Sequence, residues 1–231
     1  MFDPLLRPVK ERVIHPIARL VGGAVSPIAL TLVGLGIGLG AAAATLFDLM
    51  WLALALWLVS RVFDGLDGVV ARITARQSDL GGYLDMLLDT IVYAAVPVAM
   101  ALRPLVAPGA EPGVAPSAWF PALPVAAWPA LATVALLAVF YVNIVSWSIL
   151  SSIIEKRRAR TQGDAASERF TTVAMPSGLI EGTETILFFS LFLALPRWYV
   201  PLAALMAVLA AVGVIQRVVW ARRMLVPGPP A

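Results

Sequence analysis

The stretch DGLDGVVARITARQSDLGGYLDMLLD, residues 64–89, sets four carboxylates, Asp64, Asp67, Asp85 and Asp89, at and just beyond the end of a membrane-length apolar segment. Carboxylates are expensive near the middle of a bilayer. Four of them gathered at the ends of apolar helices repel one another unless positive charge stands among them. One or two divalent cations are the expected partner, because hard cations prefer carboxylate oxygens. Asp64 and Asp67 are three apart and Asp85 and Asp89 four apart, so each pair shares one helix face. Two such pairs on consecutive spans can converge from facing helices, as in bundle-core metal sites. Between them, Gly65, Gly68, Gly81 and Gly82 leave room for a ligand to approach the backbone. Arg72, one turn after Gly68, can take a phosphate oxygen in bidentate fashion.

The rest of the chain agrees with a membrane setting. Of 231 residues, 60% are hydrophobic and 13% charged, with mean hydropathy +0.88; a soluble domain is ~25% charged. This is the composition of an integral membrane protein. The absence of cysteine rules out disulfides, thiolate ligands and thiol nucleophiles. A spanning helix needs ~20 mostly apolar residues. Six candidates lie at 27–47, 49–70, 81–102, 128–153, 178–195 and 199–220. The expected fold is an all-α bundle of six transmembrane helices in one domain, 1–231. In the first span Gly34, Gly36, Gly38 and Gly40 form overlapping GxxxG patterns that permit close helix approach. Residues 104–127, rich in Pro and Ala with the single charge Glu111, read as an extended loop without catalytic equipment.

Threading six spans from a cytoplasmic N-terminus leaves fifteen basic residues on the cytoplasmic side and two, Arg103 and Arg197, on the other. That bias obeys the positive-inside rule. It puts both termini and all four aspartates at the cytoplasmic face, where a nucleotide substrate could reach them. A prokaryotic cytoplasmic membrane is the expected location. Before the first span, Leu5, Leu6, Val9, Val13, Ile17 and Leu20 recur at near-helical spacing among basic residues. Residues 1–22 therefore read as an interfacial amphipathic helix on anionic headgroups, although Pro8 and Pro16 interrupt it. They lack the apolar core of a secretory signal. The basic residues form short juxtamembrane clusters, which gives no basis for a nucleic-acid partner.

The arrangement Asp64-x-x-Asp67-Gly68-x-x-Ala71-Arg72, then eight residues, Gly81, three residues, Asp85, three residues and Asp89, resembles the signature of the CDP-alcohol phosphotransferase family. Every fixed position is filled. The resemblance implies transfer of a phosphatidyl or similar phosphoalcohol group from a CDP-linked lipid, such as CDP-diacylglycerol, to an alcohol with release of CMP. It implies Asp64, Asp67, Asp85 and Asp89 as ligands of two Mg2+ or Mn2+ ions, and Asp89 also as general base. It implies contacts from Asp67, Gly68, Ala71, Arg72 and Gly81 to the CDP moiety, and a homodimer. Phosphoryl transfer needs charge neutralisation and in-line positioning more than covalent help, and a two-metal site can clamp attacking and leaving oxygens. An aspartate beside two cations is a weak base by itself, so metal activation of the alcohol would assist Asp89.

The acceptor is less legible. Glu181 and Glu184 open the fifth span, where they either line an acceptor pocket or answer the dipole of a helix N-terminus. Arg169 and Arg217 are candidates for a phosphorylated acceptor such as glycerol phosphate or inositol phosphate; serine is the alternative. Lys156, Arg157, Arg158 and Arg160 read as a positive-inside anchor, and His15 as a headgroup-level residue. Asn143 and Ser146 suit helix–helix hydrogen bonds; Thr31 could reach the nucleotide, but a helix cap is the simpler reading. An intramembrane prenyltransferase would also use aspartates and magnesium, but the Gly68-x-x-Ala71-Arg72 element and the short chain speak against it. A cation transporter would carry its acids near mid-membrane on broken helices.

Overall fold

The computed structural model describes residues 25–107, 123–162 and 182–225, with 16, 18, 19, 109–111, 113, 114 and 180 besides. Most of the expected interfacial helix, His15, Arg169, Glu181 and residues 163–179 lie outside the described residues. Among the described residues there are six α-helices and no strand: α1 Pro27–Leu46, α2 Met50–Ile73, α3 Asp79–Val106, α4 Trp128–Gln162, α5 Gly182–Ala194 and α6 Tyr199–Leu225. Four of them, α1, α3, α4 and α6, are long and apolar enough to cross a membrane. The other two differ for visible reasons. α2 carries Arg61, Asp64, Asp67 and Arg72 in its second half, and α5 has 13 described residues.

The helices pack α1 on α2 and α3, α2 on α5, α3 on α4, and α6 on α4 and α5. Between lipid-immersed helices this association rests on van der Waals fit and hydrogen bonds. The glycine stripe of α1 supplies the closest fit. A Cβ on Gly38 would fall 2.8 Å from both Val92 methyls, and one on Gly34 would fall 3.3 Å from the Phe63 Cβ. Gly36 meets nothing within 4 Å, so the packing role belongs to two of the four glycines and, at ordinary contact distance, to Gly40 against Leu56.

At the core, Trp57, Phe189, Phe192 and Tyr199 are buried together, with Trp57 stacked on Phe189 at 5.1 Å. The hydroxyls of Thr133 and Tyr199 bond one another, and Thr133 also donates to the Pro97 carbonyl at 3.1 Å, tying α3, α4 and α6. At the end of α3 remote from the aspartates, buried Arg103 donates to Asp48 at 2.9 Å and to the Glu111 carbonyl at 2.6 Å. Glu111 in turn pairs with Arg197 at 3.3 Å. Residues 104–127 thus differ from a plain extended loop: α3 continues through Pro104 to Val106, and a short 3-10 turn forms at Val125–Ala127. Of the described residues between them, 111 and 114 are pinned to Arg103 and Arg197. Gly113, at φ +88°, lies so close to the Arg197 carbonyl that a Cβ would stand 2.7 Å from that oxygen.

Candidate active site

Residues 74–78 turn the chain from α2 into α3 and bring the two halves of the aspartate stretch face to face. α2 stops in a Schellman arrangement: Arg76 N–H bonds the Ala71 carbonyl at 3.0 Å and Ala75 N–H the Arg72 carbonyl at 3.4 Å. Ala75 holds the left-handed position, φ +53°. Ser78 then caps α3, its hydroxyl accepting from Gly81 N–H at 3.1 Å.

This geometry gathers Asp64, Asp85 and Asp89, each offering a carboxylate oxygen within 4.8 Å of the others. A donor set made wholly of carboxylate oxygens suits a hard divalent cation, and the three form a site able to hold a metal ion. Asp67 stands beside the triplet with a partner of its own. Its Oδ2 accepts from the Thr31 hydroxyl at 2.6 Å, and Asp67 is buried where α1 covers α2. Thr31 is therefore not a cap; Ser26 caps α1, accepting from Ala29 N–H at 3.2 Å.

One cation is already built in. Arg61 donates to Asp89 Oδ1 at 2.7 Å and lies 3.6 Å from Asp64 Oδ2. Its side chain is 6% exposed, and its guanidinium carbon sits 4.8 Å from the centre of the Trp57 ring and 5.1 Å from that of Tyr93. From sequence, Arg61 is one of the fifteen basic residues on the cytoplasmic side. The available signal was its position three before Asp64, on the same face. Trp57, four before Arg61, and Tyr93, four after Asp89, share those faces, but aromatic residues there read as core packing.

Asp64 and Asp89 border a small cavity with Arg61 and Asp67, while Asp67 and Asp85 border a groove of about 720 Å³. Its walls include Thr31, Asp67, Gly68, Ala71, Arg72, Arg76, Gly81 and Asp85. A Cβ on Gly68 would lie 3.5 Å from the Arg72 guanidinium. The volume is in the usual range for a small-molecule site. Glu184 and Arg217 do not line it. Glu184 is buried in the first turn of α5, the place where a helix dipole favours an acid. Arg217, buried in α6, donates to the Asn143 side chain of α4 at 2.9 Å. Arg157 lies elsewhere again, bonding the Met224 and Leu225 carbonyls at the end of α6.

A family model described as CDP-alcohol phosphatidyltransferase matches residues 24–216. The chain is 30% identical over 200 residues to the inner membrane protein YnjF of Escherichia coli (strain K12), covering 86% of this chain and 84% of that protein. A stretch of 86 residues, 37% of this chain, is 36% identical to 20% of the bifunctional IPC transferase and DIPP synthase of Thermococcus kodakarensis. Among solved structures, the fold is similar to that of Mycobacterium tuberculosis phosphatidylinositol phosphate synthase (PgsA1), crystallised with manganese and citrate. The TM-score is 0.60 at 20% identity, over 89% of this chain and 88% of that one.

Proposed function

This chain belongs to the CDP-alcohol phosphatidyltransferase family, and on that premise we propose that it moves a phosphatidyl or related phosphoalcohol group from a CDP-linked lipid to a small polar alcohol, releasing CMP. The observation that carries this reading is the carboxylate triplet standing beside a groove that Asp67 and Asp85 border and that Gly68, Ala71, Arg72 and Gly81 wall. A metal site alone would suit many proteins. A metal site beside a glycine-lined wall bearing an arginine suits a diphosphate.

In this reading Asp64, Asp67, Asp85 and Asp89 hold Mg2+ or Mn2+, with two ions in the complete site. The bound cations would supply charge neutralisation at the phosphate oxygens. Arg72 holds the diphosphate, and Gly68 and Ala71 keep the groove floor low enough for the nucleotide to lie close. The acceptor hydroxyl oxygen attacks the phosphorus of the phosphatidyl group, the bond from that phosphorus to CMP breaks, and the hydroxyl proton passes to Asp89. CMP leaves into the groove. Positioning of this kind accounts for most of catalysis in phosphoryl transfer.

The acceptor we infer is phosphorylated, glycerol phosphate or inositol phosphate. The Thermococcus relative, an IPC transferase, and the mycobacterial structure, a phosphatidylinositol phosphate synthase, support that choice. We also infer one domain over 1–231, six membrane spans with α2 and α5 completing the set, a homodimer, and a groove that faces the cytoplasm with both termini.

The test is metal-dependent CMP release from CDP-diacylglycerol by the purified protein, with glycerol phosphate, inositol phosphate and serine as acceptors. Release only with a phosphorylated acceptor is expected. Release with serine alone would refute the acceptor reading, and no release with any small alcohol would sink the reaction. Asp85→Asn should abolish turnover, a drop of at least ~10³-fold by the scale of electrostatic catalysis, with an unchanged thermal unfolding profile.

A further inference from the structure

Arg61 stands where a charged side chain has no reason to be unless something holds it there. Positive-inside residues face water; this guanidinium is buried, turned inward from α2 and enclosed by three helices. α3 supplies Asp89 at 2.7 Å and the Tyr93 hydroxyl at 3.2 Å. α2 supplies the Ser60 hydroxyl at 3.4 Å and the face of Trp57. α5 fixes Trp57 in turn, through the Ser190 hydroxyl at 3.2 Å from the indole N–H and through stacking on Phe189. An aromatic wall with a hydrogen-bonding rim suits the planar, weakly hydrated guanidinium and suits an ammonium poorly.

We propose that Arg61 is the positioning residue for Asp89: it fixes one carboxylate oxygen so that the other is presented to the cation and the acceptor hydroxyl, and it sets a permanent positive charge among the carboxylates. This rests on the reading of Asp89 as proton acceptor beside a divalent cation. Asp89 is bonded through Oδ1, which leaves Oδ2 for chemistry. The same guanidinium is within ion-pair distance of Asp64, so it aligns two members of the triplet at once.

The charge has a second consequence, opposite in sign to the first. Arg61 repels any cation entering the triplet, so its removal strengthens the field that attracts one while freeing Asp89 to swing. Arg61→Gln should therefore bind Mn2+ about tenfold more tightly and turn over about 10- to 100-fold more slowly. Arg61→Lys keeps the charge without the fork. It should bind Mn2+ as the wild type does and still lose turnover. A residue needed only for folding would lower Mn2+ binding and activity together in both variants.

The experiment is a Mn2+ titration of purified wild type, Arg61→Gln and Arg61→Lys by electron paramagnetic resonance without substrates, beside kcat for CMP release. Tighter Mn2+ binding with reduced kcat in Arg61→Gln, and unchanged binding with reduced kcat in Arg61→Lys, is the expected result. Wild-type kcat in either variant, or joint loss of binding and kcat in both, overturns the proposal. Should Arg61→Gln fail to fold, Arg61→Lys decides alone by the same criterion. Wild-type protein that binds Mn2+ but releases no CMP would refute the reaction instead. The titration of Arg61→Gln would then still decide whether Arg61 stands among the ligands: unchanged or weaker binding refutes it.

Discussion

Thr31 reaches Asp67 from a helix that carries no acid of its own. The hydrogen bond fixes the orientation of a carboxylate that the triplet leaves to one side. Partners of this kind typically change metal affinity or activity by about 10- to 100-fold when removed. Thr31→Val should lower kcat by about tenfold while leaving the unfolding temperature near that of the wild type. Thr31→Ser, which keeps the hydroxyl, should restore it. Equal activity in Thr31→Val would show that Asp67 needs no such guide. The contrast with the aspartates themselves is instructive. Asp64, Asp67, Asp85 and Asp89 are legible from spacing because two helix faces explain them. Thr31 pairs with a residue 36 positions away and Arg61 with one 28 away. No local pattern announces either contact. Arg61 was hidden further by the positive-inside bias, which accounts for an arginine near a helix end without needing a site.

At the scale of elements, the helices were legible by their apolar length and their ends were not. α1 and α2 both stop in Schellman arrangements, yet neither has glycine at the left-handed position. Asp48 takes it after α1, φ +62°, and Ala75 after α2, φ +53°. A stop without glycine gives no sequence signal. At Asp48 the carboxylate also pairs with Arg103, which explains the choice. Nothing comparable holds Ala75, and an L-residue there is strained by about 1–2 kcal/mol. Ala75→Gly should therefore raise stability, by up to about 1 kcal/mol once the unfolded chain's added freedom is counted, readable as a higher unfolding temperature in detergent. A lower one would mean that the turn is not in this conformation. The glycine stripe yields the opposite case. Gly38→Ala should destabilise by about 1–3 kcal/mol through overpacking against Val92, and Val92→Ala in the same chain should recover much of that loss. Gly36→Ala, which adds a methyl to open space, should be near neutral.

For the whole molecule, the proposed topology makes a prediction that the absence of cysteine renders simple to read. A single cysteine placed at Gln77 should be labelled by an impermeant maleimide only from the cytoplasmic side. One placed at Glu111 should be labelled only from the opposite side. Labelling of both from the same side would overturn the orientation. The membrane character was plain in the composition, and the all-α architecture followed from it. The span count was harder, because α2 trades apolarity for the charges of the site. Arg103 and Asp85 lie on the same unbroken helix, 18 positions apart. At ~1.5 Å per residue that is about 27 Å, close to the ~30 Å of a bilayer's hydrocarbon. α3 is in this sense a ruler, its zero mark clamped by Asp48 and Glu111. On the proposed topology the aspartates then fall at the level of the other leaflet's headgroups, where a CDP-linked lipid would offer its phosphate with its acyl tails still in the oil.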